Sequence, residues 1–188
     1  MKRKKRALVV VDYQNDFVTG PLGFEKAVRL EQPLVQKIRS AKQAHCAVLF
    51  TLDKHKTADL DCHGEKAPKP HCLFDTTGWN LYGKVADCCD ETTPIFTKCT
   101  YGSLSLANYL NRQCFSEIEL VGLVTNICVF SNALLAQAAC PRARISVDAG
   151  CVACPEERDH LQALKTLQML HIQIHNCREE YFNEGFVF

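Results

Sequence analysis

The chain alternates between short apolar runs and longer stretches in which apolar residues recur at helical spacing. A continuous apolar run of about four to eight residues is typical of a strand that is buried on both faces. We predict six such strands, over residues 7–11, 47–51, 93–97, 118–122, 143–147 and 171–174. Runs of this kind indicate a parallel sheet that is covered on both sides.

Apolar residues three or four positions apart predict helices between these strands. One such face lies in residues 28–43 and consists of Leu30, Leu34, Val35, Ile38 and Ala41. Further helices are predicted from the cap Ser103 through Leu110, from Val129 to the break at Cys140-Pro141, and from Pro155 onward. The alternation predicts a three-layer α/β fold with a mostly parallel six-stranded sheet and helices on both faces.

Length and charge narrow the classes of partner. The 188 residues suit one domain that spans 1–188. Because 22 Lys and Arg face 21 Asp and Glu, no excess charge favours nucleic acid or an anionic membrane, and a small-molecule partner is expected. The apolar run after the basic first residues is too short for a signal peptide, and no stretch approaches a membrane span. We therefore predict a cytoplasmic protein whose 12 cysteines are reduced thiols that mostly serve packing.

Residues with charged or nucleophilic side chains follow the predicted strands. Asp12, Asp53, Lys98 and Cys128 each come directly after an apolar run. In parallel α/β sheets, the carboxyl ends of the strands share one edge, and ligands bind there. Residues 57–84 form a long stretch with little periodicity, which we expect to help build this site.

Cys128 is the best candidate for a nucleophile because it stands between a predicted strand and a predicted helix. The positive end of a helix dipole stabilises a thiolate, so we expect a lowered pKa for this thiol. A thiol nucleophile also needs a base and a cation, and Asp12 and Lys98 are the matching residue types. Taken singly, Asp12 could cap a loop and Lys98 could be a solvated surface residue, but their joint placement favours a site.

A second group has the residue types of a metal site. Asp53-x-His55 and the later Pro70-His71 offer a carboxylate and two imidazoles, which suit zinc, iron or manganese. Three protein ligands with an open position are typical of catalytic rather than structural sites. The alternative is that Asp53 caps a helix and His55 lies on the surface. His45, His160 and His175 are expected to be ordinary exposed histidines.

Three segments resemble the signature segments of the isochorismatase-like cysteine hydrolases, in order and in approximate spacing. They are VDYQNDF at 11–17, TKxxYxS at 97–103 and GLVTNICV at 122–129. The resemblance implies that Asp12 is the general base, that Lys98 supports the charges and that Cys128 attacks a carbonyl carbon. It also implies a cis peptide at Leu123-Val124 and an oxyanion hole formed by the N–H groups of Val124 and Cys128. Asn126 stands where the family often has Asp.

The metal pattern is similar to that of the nicotinamidases within this family, as is the segment GWNLYG at 78–83. This resemblance implies that a divalent metal, most simply zinc, binds the pyridine nitrogen of nicotinamide, which is hydrolysed to nicotinate and ammonia in NAD salvage. For a fourth ligand, Glu65 is favoured, with His63 and Asp61 as rivals. Phe17 and Trp79 are candidates for packing against the flat ring, although either could belong to the core.

Several alternatives stay open at this point. The same triad serves other small amides and ureido compounds, and the long loop could be shaped for one of them. A ligand-binding protein without turnover is a further alternative, although a binding module has no evident need for a nucleophile with a base. Residues 185–188 are apolar and could form either a homo-oligomer interface or an edge of the core.

Overall fold

The computed structural model describes residues 5–56 and 69–177. These residues form a parallel sheet with the strand order β3-β2-β1-β4-β5-β6. The strands are β1 (Arg6–Val11), β2 (Ala47–Asp53), β3 (Ile95–Lys98), β4 (Glu117–Leu123), β5 (Arg144–Ala153) and β6 (Gln173–His175). The predicted six-stranded α/β sheet is confirmed, and the described strand pairs are all parallel.

Helices cover both faces of the sheet. They are α1 (Asn15–Val18), α2 (Glu25–Arg29), α3 (Glu31–Gln43), α4 (Gly83–Ala86), α5 (Leu104–Gln113), α6 (Phe130–Ala139) and α7 (Glu157–Met169). One apolar core joins α1 to α4 with one face of β1, β2 and β4, and a second joins α5, α6 and α7 with the opposite face. The order in which the strands are added reverses between β1 and β4, since β2 and β3 lie on one side of β1 and β4 to β6 lie on the other. Such folds bind ligands at this position.

The helix predicted over residues 28–43 is present as α3 and ends at Gln43 as predicted, but its start is wrong, because residues 28 and 29 belong to α2 and the two helices meet at Leu30. Pro33 lies in the first turn of α3 and has no N–H to continue the hydrogen bonding of α2, so a new helix begins there. The helical spacing of apolar residues continues across this break, so it does not reveal the break in the sequence. Strand ends also differ from the prediction, since β5 continues to Ala153 past a register shift opposite β4.

Most described cysteines that are buried serve packing, as predicted. Cys72, Cys88 and Cys151 belong to the core on the α3 side, and Cys140 belongs to the core on the α6 side. Within residues 5–56 and 69–177, no helix combines the length and the apolar character that a membrane crossing requires. The apolar segment at 185–188, proposed as an interface, lies outside the described residues.

Candidate active site

Asp12 lies just beyond β1, where the chain leaves the sheet. Its φ of 46° is in the left-handed region, which Asp adopts more readily than most residues. The Thr51 hydroxyl donates a hydrogen bond to Asp12 Oδ1 at 2.6 Å, and the Asp12 side chain is fully buried. Burial raises the pKa of this carboxyl, although the charge of Lys98 opposes the rise. A carboxylate with raised proton affinity is suited to accept a proton from a thiol.

Lys98 is the last residue of β3, and its ammonium lies between the other three residues predicted at the strand ends. Its Nζ lies 2.6 Å from Asp12 Oδ2, 3.3 Å from Asp53 Oδ1 and 3.6 Å from Cys128 Sγ. Burial alone would lower the pKa of Lys98, but the surrounding Asp12, Cys128 and Asp53 raise it above its usual value. The side chain is therefore a buried cation, and the alternative of a solvated surface lysine is wrong.

Cys128 lies in a single π-helical turn, Thr125–Val129, between β4 and α6. The expected lowering of its pKa is wrong. Burial raises the pKa of the thiol well above its usual value, and Asp12 and Asp53 add to the rise while Lys98 opposes it. Desolvation and two carboxylates thus outweigh the favourable effect of one ammonium. The thiol is protonated in the resting site, so it must lose a proton before it can attack.

Asn132 holds the nucleophile turn against the start of α5. Its Nδ2 donates hydrogen bonds to the carbonyl oxygens of Cys128, at 2.8 Å, and Tyr101, at 3.2 Å. Its Oδ1 accepts a hydrogen bond from the Ser103 N–H at 3.0 Å. The side chain is buried, so these contacts satisfy an amide that would otherwise be costly to desolvate.

His160 supports the same turn from α7. Its Nδ1 lies 2.9 Å from Thr125 Oγ1, and Thr125 is fully buried. Burial lowers the pKa of this imidazole. The expectation that His160 is an ordinary exposed histidine is therefore wrong, because α7 packs on the nucleophile turn. His175, in contrast, is exposed, as expected, and its Nδ1 lies 3.1 Å from Glu119 Oε1.

The peptide between Leu123 and Val124 is cis, as the family resemblance implied. The Val124 carbonyl oxygen accepts hydrogen bonds from the N–H groups of Ile127 and Val129, each at 3.2 Å. One residue earlier, Gly122 has a φ of 108°, and a Cβ there would overlap the carbonyl oxygen of Val11. A glycine is required at this position because β1 and β4 approach each other so closely.

Gln14 fixes the end of β2. Its Oε1 accepts a hydrogen bond from the Asp53 N–H at 2.7 Å, and its Nε2 donates to the carbonyl oxygens of Asp53, at 2.9 Å, and Trp79, at 2.7 Å. The side chain is fully buried. Gln14 therefore orients the backbone of Asp53, whose carboxylate is shared between Lys98 and two histidines.

Asp53, His55 and His71 form a cluster that can bind a metal ion. One ligand atom from each residue lies within 4.8 Å of the others. The Nε2 atoms of His55 and His71 lie 2.8 Å and 3.5 Å from Asp53 Oδ2. Burial raises the pKa of Asp53, but both histidines and Lys98 outweigh it and hold the pKa well below its usual range. A charged carboxylate beside two imidazoles fits a divalent ion such as zinc.

His71 has a backbone contact of the kind that metal ligands use. Its Nδ1 lies 2.9 Å from the Lys69 carbonyl oxygen, which can only accept a hydrogen bond. The ring proton is therefore on Nδ1, and a neutral His71 presents the Nε2 lone pair toward Asp53. Burial opposes protonation of His71, but Asp53 and the carbonyl raise its pKa overall. The alternative in which Asp53 caps a helix and His55 lies on the surface is wrong, since both are buried.

Phe17 lies beside this cluster and is buried. Its ring centroid is 5.5 Å from that of His71, with the planes inclined at 61°. Trp79 instead packs edge-on against Phe74 at 5.1 Å. The three candidates for a fourth metal ligand, Glu65, His63 and Asp61, lie outside the described residues.

Sequence reasoning missed four supporting residues: Thr51, Gln14, Asn132 and His160. Only Thr51 carried a signal, because it is a polar residue in an otherwise apolar run, and it pairs with Val11 in the neighbouring strand. The other three act through contacts between distant segments, which a local pattern does not reveal.

The sequence of the chain is similar to a known family and to known proteins. The model of the Isochorismatase domain family matches residues 6–175. The nicotinamidase/pyrazinamidase of Mycobacterium tuberculosis is 29% identical over 147 residues, which are 68% of this chain and 76% of that protein. The residues that the family model matches include all the site residues described above.

Solved structures share the fold. A pyrazinamidase/nicotinamidase from Streptococcus mutans superposes with a TM-score of 0.82 at 30% identity, over 90% of this chain and 99% of that one. The pyrazinamidase of Pyrococcus horikoshii, solved in complex with zinc, superposes with a TM-score of 0.81 at 23% identity, over 90% and 98%. At that identity the second likeness concerns the fold alone.

Proposed function

The chain belongs to the isochorismatase family of hydrolases, and we propose that it is a metal-dependent cysteine amidohydrolase that converts nicotinamide and water to nicotinate and ammonia. The observation that carries this proposal is the position of Asp53. Its Oδ1 lies 3.3 Å from the Lys98 ammonium, and its Oδ2 lies 2.8 Å from His55. One carboxylate thus contacts both the lysine of the proposed catalytic triad and a histidine of the proposed metal site. The reaction would serve NAD salvage in the cytoplasm.

Asp53, His55 and His71 would hold the divalent ion, for which we favour zinc over iron or manganese. When bound, the ion would supply a Lewis acid for the ring nitrogen of nicotinamide. Glu65 stays the favoured fourth ligand. Phe17 would contribute a flat apolar surface beside His71 against which the substrate ring packs.

Acylation begins with the protonated thiol of Cys128. Asp12 accepts the thiol proton, and the Lys98 ammonium, 3.6 Å from Sγ, stabilises the thiolate that forms. Sγ then adds to the carboxamide carbon, and the N–H groups of Val124 and Cys128 receive the negative oxygen. The C–N bond breaks as Asp12 returns its proton to the leaving nitrogen. The products of this half are ammonia and a nicotinoyl thioester on Cys128.

Deacylation uses the same carboxylate. With ammonia gone, Asp12 is ionised again and accepts a proton from water, which attacks the thioester carbon. The tetrahedral intermediate collapses with release of nicotinic acid, which ionises to nicotinate in solution, and the proton held by Asp12 returns to the Cys128 sulfur. Lys98 and Thr51 keep the Asp12 oxygens in place through both halves, because each contacts a different oxygen at 2.6 Å.

A panel of amides tests the proposed substrate. Zinc-loaded protein is assayed for ammonia with nicotinamide, with benzamide, which lacks the ring nitrogen, and with an N-carbamoyl compound. Nicotinamide should give the highest kcat/KM, and benzamide should be much poorer because it offers no nitrogen to the metal. Rapid turnover of the carbamoyl compound without turnover of nicotinamide would instead assign the site to ureido substrates.

A further inference from the structure

Asp16 contacts the backbone next to a proposed metal ligand. It lies in α1 and is half-buried, and its Oδ2 accepts a hydrogen bond from the Cys72 N–H at 2.7 Å. Cys72 directly follows His71 and has a φ of 47°, in the left-handed region that a residue with a Cβ seldom adopts. A backbone in that conformation needs support from its surroundings. The Asp16 carboxylate supplies a charge-assisted hydrogen bond at this point.

Two glycines leave the space that this carboxylate occupies. A Cβ added at Gly78 would overlap both carboxylate oxygens of Asp16, and a Cβ at Gly20 would overlap Oδ1. A larger residue at either position would displace the carboxylate from the Cys72 N–H. The contact therefore depends on the sequence of several chain segments: α1 supplies the carboxylate, the segment after His71 supplies the N–H group, and the two glycines leave the space.

The neighbours of Asp16 connect α1 to the rest of the metal cluster. Asn15 Nδ2 donates to the Thr77 carbonyl oxygen at 2.6 Å, and the Asn15 N–H donates to the Asn80 carbonyl oxygen at 2.9 Å. Gln14 contacts the backbone of Asp53. Residues 14–16 thus contact both parts of the chain that carry the ligands, namely the end of β2 with Asp53 and the loop with His71.

We propose that Asp16 is a positioning residue of the metal site, which holds the Cys72 peptide so that His71 Nε2 faces Asp53 and His55. The ring of His71 is tied to its own backbone through Nδ1 and the Lys69 carbonyl, so the direction of the ring follows the path of residues 69–72. This inference rests on the metal site of the proposed function. Loss of such an outer contact typically weakens metal affinity by roughly 10- to 100-fold.

Metal affinity tests this role without reference to catalysis. The full-length chain and its variants are stripped, and zinc binding is measured in competition with a chromophoric chelator. The visible absorption of the Co²⁺ form reports the ligand geometry. Asp16→Ala and Gly78→Ala should weaken zinc binding by roughly 10- to 100-fold and change the Co²⁺ spectrum. Gly150→Ala is the matched control, because it lies outside this region and its Cβ would meet Asp148 Oδ1 at 3.3 Å, which a shift of a few tenths of an ångström relieves.

Asp16→Asn separates the hydrogen bond from the charge. Asn keeps an oxygen that can accept from the Cys72 N–H and loses only the charge, so Asp16→Asn should weaken zinc binding less than Asp16→Ala does. Equal weakening in Asp16→Asn and Asp16→Ala would overturn the inference, since charge alone would then explain the effect. Unchanged affinity and spectrum in Asp16→Ala would also overturn it. If Asp16→Ala fails to fold, Gly78→Ala and Asp16→Asn decide between these outcomes. A wild-type chain that binds no zinc would overturn the metal site itself.

Discussion

The Thr51 hydroxyl donates a 2.6 Å hydrogen bond to Asp12 Oδ1, while the other oxygen of Asp12 faces Lys98 Nζ at the same distance. Thr51 belongs to β2 and Lys98 to β3, so two strands fix one carboxylate beside the nucleophile. Both contacts favour the ionised form of Asp12 against the burial that raises its pKa. The base is thus held in one orientation by groups that do not themselves react.

Thr51→Val removes the hydroxyl while keeping the shape of the side chain. The pKa of Asp12 should rise further, because the ionised form loses a hydrogen bond, and the acidic limb of kcat/KM should move to higher pH. The value of kcat should fall by about 10- to 100-fold, since the carboxylate is no longer held in place. A pH-rate profile measures both effects. Thr51→Ser keeps the donor and should resemble the wild type, and a wild-type profile in Thr51→Val would contradict the role of this contact.

Gly122→Ala should destabilise the junction of β1 and β4. Gly122 pairs with Val11 in the sheet, and the added Cβ would overlap backbone atoms that cannot move without breaking the ladder. The free energy of unfolding should fall by about 2 kcal/mol or more, as a lower denaturant midpoint would reveal. Gly150→Ala is the control. An unchanged midpoint in Gly122→Ala would mean that the strands separate there more easily than the structure indicates.

His160 predicts a pH dependence of stability. Burial lowers its pKa below the ordinary 6.5, while Glu157 raises it and Lys26 lowers it further. Between the folded pKa and about pH 6.5 the unfolded chain binds more protons than the folded chain, so stability decreases as the pH falls from about 6.5 to the folded pKa. Urea unfolding of wild type and His160→Gln at about pH 8 and pH 5 measures this difference. The advantage of the wild type at the higher pH should shrink at the lower one, and parallel curves would contradict the prediction.

Removal of the metal should abolish turnover of nicotinamide. Among the residues that the structure describes, Asp53, His55 and His71 form the only group of His, Cys, Asp or Glu side chains that could bind an ion together. Chelator treatment should therefore eliminate ammonia release, and added zinc should restore it. His71→Asn should require more zinc for activity, whereas His45→Asn, which changes an exposed histidine, should not. Full activity in the stripped protein would contradict the role of the metal.

Much of the sheet could be predicted from the sequence, because a parallel strand covered on both faces needs apolar residues in succession. The same rule brought Asp12, Asp53, Lys98 and Cys128 together, since the strands end at a common edge. Family resemblance was needed to give these residues roles and to anticipate the cis peptide at Leu123.

Other features were missed for different reasons. The break at Leu30 had a local signal in Pro33, which has no N–H, but the apolar periodicity continues through the break and conceals it. The raised pKa of Cys128 follows from its depth and from two carboxylates in other segments. His160 was unpredictable for a related reason, since only the packing of α7 on the nucleophile turn brings it to Thr125.

The central claim is that Cys128 attacks the amide carbon, and ammonia release by Cys128→Ala tests it most directly. The zinc-loaded variant and wild type are compared on nicotinamide after thermal unfolding has shown that both are folded. Cys140→Ala removes a different buried thiol, at the end of α6, and serves as the control. We predict that Cys128→Ala loses turnover by about 10⁴-fold or more while Cys140→Ala retains it. Undiminished turnover in Cys128→Ala would contradict the account.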